Sequence, residues 1–260
     1  MSFSAILASA HPLEGGFRCD VPADWHQGRT AYGGLSSALA LTAAMRAGGD
    51  LPPLRSAQFS MIAPLYGEVE VRARLVRQGR NATWICAEIA GQMGPGLTAS
   101  FVFMGPVESG LRVDGLAPPA DLVPVDEAAG FALRDHSPVF LKNHFDVRHA
   151  LPRRAEKRPE ICWWTRARER DGLDPMVELL LVADATPPAV APLMDPKVPV
   201  STMQWQVNLL TPAPQTRDGW WLLRSTGDHA GKGCTSQDET IWNSDGEAVL
   251  AGMQSIALFG

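Results

Sequence analysis

A chain of 260 residues with 45% hydrophobic and 20% charged residues can bury a substantial core, as one large domain or two of ordinary size, and does not have the composition of a disordered segment. Its net charge of −5 argues against a nucleic-acid binder, which presents a basic face to phosphates. No stretch approaches the ~20 consecutive apolar residues of a membrane-spanning helix, Met1–Ala8 lacks the positive n-region of a secretory leader, and Cys19, Cys86, Cys162 and Cys234 lack zinc or redox spacing. The expectation is a cytoplasmic protein with buried free thiols and no metal.

The first clear element runs from Gly34 to Ala47, GLSSALALTAAMRA. It predicts a helix with no polar face, and therefore one enclosed by protein on most sides. Gly48 suits its C′ position, and Arg46 suits the negative end of its dipole. From Ser56 to Met61 and from Glu68 to Leu75 the period becomes two. Glu68, Glu70, Arg72 and Arg74 fall on one face and Val69, Val71, Ala73 and Leu75 on the other, as in an antiparallel sheet with one wet side. Further strands are predicted at Thr83–Ile89 and Thr98–Met104. Residues 106 to about 140 hold five prolines, Pro106, Pro118, Pro119, Pro124 and Pro138, and read as a connection docked on the surface.

The second half repeats the order. Strands are predicted near Phe145–Ala150 and Ile161–Ala167, and an apolar run from Met176 to Ala183 leads into a helix expected to begin near Asp184, with Thr186 as N-cap and Pro187-Pro188 in its first turn. Strands follow at Thr202–Leu210, Trp220–Ser225, Thr235–Asn243 and Val249–Phe259. His144 and His149, placed on one strand, would point to opposite faces and make a poor metal site. His229-Ala230-Gly231-Lys232-Gly233 reads as a hairpin turn, since it lacks the spacing of a phosphate-binding loop. Trp163-Trp164 and Trp220-Trp221 each put one ring on either face of a sheet.

One helix followed by antiparallel strands, twice over, is an α+β layout with a duplicated unit. The closing segments support this, Leu97-Thr98-Ala99-Ser100-Phe101-Val102-Phe103-Met104-Gly105 against Ala251-Gly252-Met253-Gln254-Ser255-Ile256-Ala257-Leu258-Phe259-Gly260. Pro64 and Pro212 sit at matching strand ends. The copies differ where Gln254 stands in place of Ala99, a buried-amide candidate on an otherwise apolar strand.

This order, with an apolar helix preceded by Gly33-Gly34, resembles the hotdog fold, in which a curved antiparallel sheet wraps a central helix. The paired arrangement is similar to the acyl-CoA thioesterase II family, whose members carry two hotdogs in one chain. The resemblance rests on Ala31-Tyr32-Gly33-Gly34 and Leu97-Thr98-Ala99-Ser100-Phe101 in the first half, and on three separated positions in the second. It implies two tandem hotdog domains, residues 1–110 and 141–260, joined by a linker at 111–140. It also implies an acyl-CoA substrate, no cofactor, and a homodimer or higher homo-oligomer. Family members carry a catalytic aspartate at the start of the second central helix, a threonine on the next strand and a glutamine on the last. Here those are Asp184, Thr202 and Gln254. Gln204 stands where some relatives have an acid, and Pro187-Pro188 departs from the family at the expected helix start.

Those residue types suit the chemistry. Hydrolysis of a thioester needs an activated water beside the carbonyl carbon and positive dipoles beside the developing oxyanion. An aspartate near a helix N-terminus is held ionised by the dipole, and Thr202 and Gln254 each donate and accept hydrogen bonds to hold that water. Taken singly, Asp184 reads as a helix cap, Thr202 as an ordinary strand residue, and Gly33-Gly34 either as a tight turn or as room for a thioester near the backbone. Two alternatives share the scaffold, a hotdog enoyl-CoA hydratase and a non-catalytic acyl-CoA or lipid-binding protein. The hydratase needs an Asp and His pair near the helix, and no histidine lies between His149 and His229.

Overall fold

The computed structural model describes residues 1–131, 133 and 137–260. Helix α1 (Phe3–Ala8) and strands β1 (His11–Leu13) and β2 (Gly16–Val21) precede the first predicted element, and a hairpin of β3 (His26–Gln27) and β4 (Thr30–Ala31) feeds helix α2 (Gly33–Gly48). None of these leading elements was expected, although Phe17, Cys19 and Val21 alternate as a half-buried strand should. The α2 helix is buried on almost every side, Leu35, Ser37, Ala38, Leu39, Ala40, Leu41 and Ala44 included, as its unbroken Ala/Leu character requires. It ends one residue later than predicted, with Gly49 turning the chain at φ +68°.

Strands β5 (Leu54–Met61), β6 (Gly67–Gln78), β7 (Ala82–Gly91) and β8 (Gly94–Met104) complete the first half. The second half comprises α3 (Val139–His144), β9 (Phe145–His149), β10 (Glu160–Ala167), α4 (Pro175–Ala183), β11 (Val200–Leu209), β12 (Trp221–Gly231), β13 (Cys234–Trp242) and β14 (Ala248–Leu258). Apart from the β3–β4 hairpin, the strands form one twelve-stranded sheet in the order β1-β2-β6-β7-β8-β5-β11-β14-β13-β12-β10-β9, and every neighbouring pair is antiparallel.

The order inverts about the β5–β11 junction, where Gln58 faces Gln206. In each half, then, a curved sheet wraps a helix, and the two helices, α2 and α4, pack against each other beneath the junction. This is the expected double hotdog. One core fills the space between sheet and helices, around Phe59, Phe101, Trp205 and Trp221. A smaller one lies on the opposite face, where part of the proline-rich connection covers Trp164, Trp220 and Trp242. There the Trp164 Nε1–H donates to the Val123 carbonyl at 2.8 Å and the Trp242 Nε1–H to that of Leu116 at 2.7 Å. The adjacent pairs Trp163-Trp164 and Trp220-Trp221 do divide between the two faces.

Three expectations are corrected. The apolar run Met176–Ala183 does not lead into the second helix; it is that helix, capped at its start by Asp174, whose Oδ1 accepts from the Met176 and Val177 N–H groups at 2.8 and 3.4 Å. Asp184 therefore closes α4 at its C-cap, and Thr186 caps nothing. A helix buried all round shows no 3.6-residue period, so the run carried no signal of its type. His144 ends α3 rather than lying on a strand, and its ring stacks on Trp25 at 3.7 Å. Cys19 and Cys162 are buried thiols, with pKa values pushed up to about 12 by burial, but Cys86 is half-buried and Cys234 exposed.

The hairpin at residues 229–233 is a turn as expected. Lys232 and Gly233 both have positive φ, 51° and 79°, the conformation that matches the twist of the flanking strands.

Candidate active site

The two halves meet at a point of unusually close approach. Tyr32, fully buried, stacks on Phe140 with ring centres 4.0 Å apart, and its hydroxyl donates to the Leu181 carbonyl at 2.9 Å. That carbonyl belongs to the last turn of α4, whose C=O groups have no partner within the helix. A Cβ on Gly34 would come within 2.6 Å of the same carbonyl and of the Tyr32 ring, and one on Gly33 within 2.5 Å of Asp184 Oδ2. The glycine pair is thus required by helix meeting helix, the start of α2 against the end of α4.

Asp184 consequently lies at a helix N-terminus, though that of the other half. The Gly34 amide at the start of α2 and the Gln254 side chain favour its ionised form, while the loss of solvent around it acts more strongly and raises its pKa from 3.8 to about 7. The Gln254 Nε2–H donates to Asp184 Oδ1 at 2.8 Å. Gln254 itself is only 4% exposed, so the amide on the closing strand faces inward.

Thr202 reaches the site through a backbone irregularity. The β11–β14 register shifts between Thr202 and Gln204, leaving Met203 as an extra residue on β11. Strict alternation from buried Trp205 would send Thr202 outward; the bulge restores it to the inner side, opposite buried Ile256. A cavity of about 170 Å³ is then lined by Gly33 and Ser36 of α2, Met61 of β5, and Asp184, Thr202 and Gln254 of the second half. All three expected polar residues and Gly33 share this cavity. Gly34 packs behind it, with its side-chain position against Leu181 and Tyr32.

Sequence reasoning missed the polar chain behind Gln254. The Gln237 Nε2 lies 3.5 Å from Gln254 Oε1 and donates to Glu239 Oε1 at 2.9 Å, while the Trp205 Nε1–H donates to Glu239 Oε2 at 2.8 Å. Gln237 and Glu239 are 1% and 4% exposed. Burial, and then the charge of Asp184, lifts Glu239 from 4.5 to about 8. The signal was present in β13, where Thr235, Gln237 and Glu239 fall in phase with buried Ile241, so that polar residues occupy the core-facing side of a strand.

The arrangement offers a carboxylate poised near neutral pH, a hydroxyl, an amide and a helix N-terminus around one small cavity. Among the described residues its lining includes no histidine. Searching the curated proteins finds no match. Solved structures with the same fold include a conserved protein of unknown function with a hot dog fold from Alicyclobacillus acidocaldarius, at TM-score 0.85 and 19% identity over 100% of this chain and 98% of that one. A putative thioesterase II from Thermobifida fusca aligns at 0.83 and 19% identity over 98% and 97% of the two chains. An acyl-CoA thioesterase II from Mycobacterium marinum aligns at 0.78 and 18% over 99% and 98%.

At the level of sequence families, residues 21–104 match the acyl-CoA thioesterase N-terminal domain and residues 119–258 the acyl-CoA thioesterase C-terminal domain. With its two halves matching the two domains in order, and the second match alone spanning more than half of its length, the chain belongs to the acyl-CoA thioesterase family and is a thioester hydrolase.

Proposed function

We propose that this enzyme hydrolyses a fatty acyl-CoA thioester to free acid and coenzyme A, with Asp184, Thr202 and Gln254 holding the attacking water. The observation that carries the reading is the Gln254 to Asp184 hydrogen bond of 2.8 Å at the wall of a cavity that Thr202 also lines. With a pKa near 7, Asp184 is ionised in about half of the molecules at neutral pH and is still basic enough to take a proton from water. The water oxygen adds to the carbonyl carbon as its proton passes to Asp184. The oxyanion so formed is stabilised by N–H groups at the start of α2. Collapse of the tetrahedral species breaks the C–S bond, and the proton held by Asp184 leaves with the coenzyme A thiolate. No covalent enzyme intermediate is needed.

The reading is tested by thiol release from a series of acyl-CoA chain lengths with the wild type and with Asp184→Ala. Turnover that is lost in Asp184→Ala supports it. Tight binding without turnover in the wild type would select a non-catalytic acyl-CoA binder, and full activity of Asp184→Ala would place the chemistry elsewhere.

A further inference from the structure

Gln254 favours the ionised form of Asp184 only if it presents its N–H₂ end. A protonated Asp184 would prefer the reverse, because its hydroxyl can donate to an amide oxygen. The choice between the two amide orientations therefore biases the ionisation of the base, and something must set it.

The buried chain behind Gln254 does so. The Ala189 backbone N–H, which can only donate, lies 2.7 Å from Gln237 Oε1. That places the N–H₂ group of Gln237 on its other side, where it donates to Glu239 Oε1 at 2.9 Å and faces Gln254 Oε1 at 3.5 Å. Were Gln254 to turn over, two N–H₂ groups would face each other between side chains that are only 1% (Gln237) and 4% (Gln254) exposed. An unsatisfied buried donor costs about 1–3 kcal/mol, enough to hold one orientation.

We infer that Gln237, locked by the Ala189 amide and by Glu239, is a positioning residue that fixes the Gln254 amide with its N–H toward Asp184 and so opposes protonation of the base. Gln237 touches no reacting atom; it acts through Gln254. The other titratable groups that face Asp184 are Glu239 on β13 and the Tyr32 hydroxyl ahead of α2. The inference rests on the reading of Asp184 as the base.

The test is the pH dependence of kcat and KM for Gln237→Met, a neutral side chain of similar size that cannot donate to Gln254 Oε1. With the orientation freed, a protonated Asp184 gains a partner, and the acid limb of kcat moves upward by about one pH unit, a tenfold population change. Activity falls about tenfold at pH 6.5, recovers to near wild type at pH 9, and KM changes by less than about threefold. A residue that merely supported the fold would lower kcat by the same factor at both pH values; that result, or an unmoved limb, overturns the proposal.

If Gln237→Met does not fold, the test passes to Glu239. Glu239→Leu removes the acceptor holding the Gln237 N–H₂ group and is expected to raise the limb. An unmoved limb in this variant would refute the relay. Asp184→Ala, assayed in parallel, separates the two claims. If it stays active the reading of the base has failed; if it is inactive while the limbs do not move, only the relay has.

Discussion

Replacing Asp184 with Asn should stabilise the protein while abolishing its activity, and the size of the effect follows from the surroundings of the carboxyl group. In the folded chain Asp184 has its pKa raised from 3.8 to about 7, chiefly by loss of solvent. Below the unfolded value both states are protonated and nothing is lost. Between the two values the folded protein holds a proton that the unfolded chain has released, so stability falls as pH rises, and above about 7 the full difference persists.

At 1.36 kcal/mol per pH unit the ceiling is ~4 kcal/mol. Two effects reduce it. Asp184 is only partly buried, keeping a face on the cavity. In addition, an Asn can satisfy Gln254 through Oδ1 but must put Nδ2 where Oδ2 now lies against Gly33 and the Gly34 amide, at a cost of about 1–2 kcal/mol. A net gain of about 2 kcal/mol at pH 8 remains; it shrinks as pH falls and becomes a loss of about 1–2 kcal/mol near pH 4, where no charge penalty offsets the cost of the Nδ2 contact. Urea denaturation of both proteins at pH 4.5, 6 and 8 measures it, alongside thiol release. Equal stability at pH 8, or a gain as large at pH 4.5, would show that Asp184 carries no buried-charge penalty and that its role as a neutral-pH base is misassigned.

The same shift predicts that kcat/KM rises with pH through an acid limb near 7; a limb near 4 in a pH profile would contradict it. Gly33→Ala would drive a methyl group within 2.5 Å of Asp184 Oδ2, and should lower kcat at least tenfold with a smaller fall in Tm, read by steady-state kinetics and calorimetry. Tyr32→Phe removes the hydroxyl that donates to the Leu181 carbonyl and should cost about 1–3 kcal/mol by urea denaturation, because a carbonyl at the buried end of α4 loses that donor. Thr202→Val, of equal shape without the hydroxyl, should lower kcat about tenfold with unchanged stability; an unaltered kcat would remove Thr202 from the water site.

Much of the fold was legible because each half contains segments whose pattern admits one structure. Glu68–Leu75 alternates charge and hydrocarbon along one strand, and Gly34–Ala47 is too long, too rich in Ala and Leu and too poor in charge to be anything but an enclosed helix. Pattern failed where burial is complete. Met176–Ala183 has no polar face to mark a period, so the helix was displaced to begin at Asp184, and the dipole argument was attached to the wrong helix. A helix N-terminus does meet Asp184, that of α2, more than a hundred residues earlier in the chain, but the expected outcome fails: burial outweighs the α2 amide and raises the carboxyl to about 7 instead of holding it ionised.

The duplication, the α+β class and Gln254 as a polar residue on an otherwise apolar closing strand were legible in the chain, since hydrophobic periodicity is a local property that folding must respect; the buried pair Gln237 and Glu239 went unread. How those residues meet is set by packing between distant segments. The extra residue at Met203 turns Thr202 inward, the Gly33-Gly34 pair lets two helix ends touch, and Ala189 and Glu239 orient an amide two side chains away from the base. Each of these depends on register and close approach between segments distant in the chain, quantities that no local pattern encodes. Ala99 and Gln254 both face the inside of corresponding strands, and what makes the second a candidate for chemistry is the carboxylate 2.8 Å from its nitrogen.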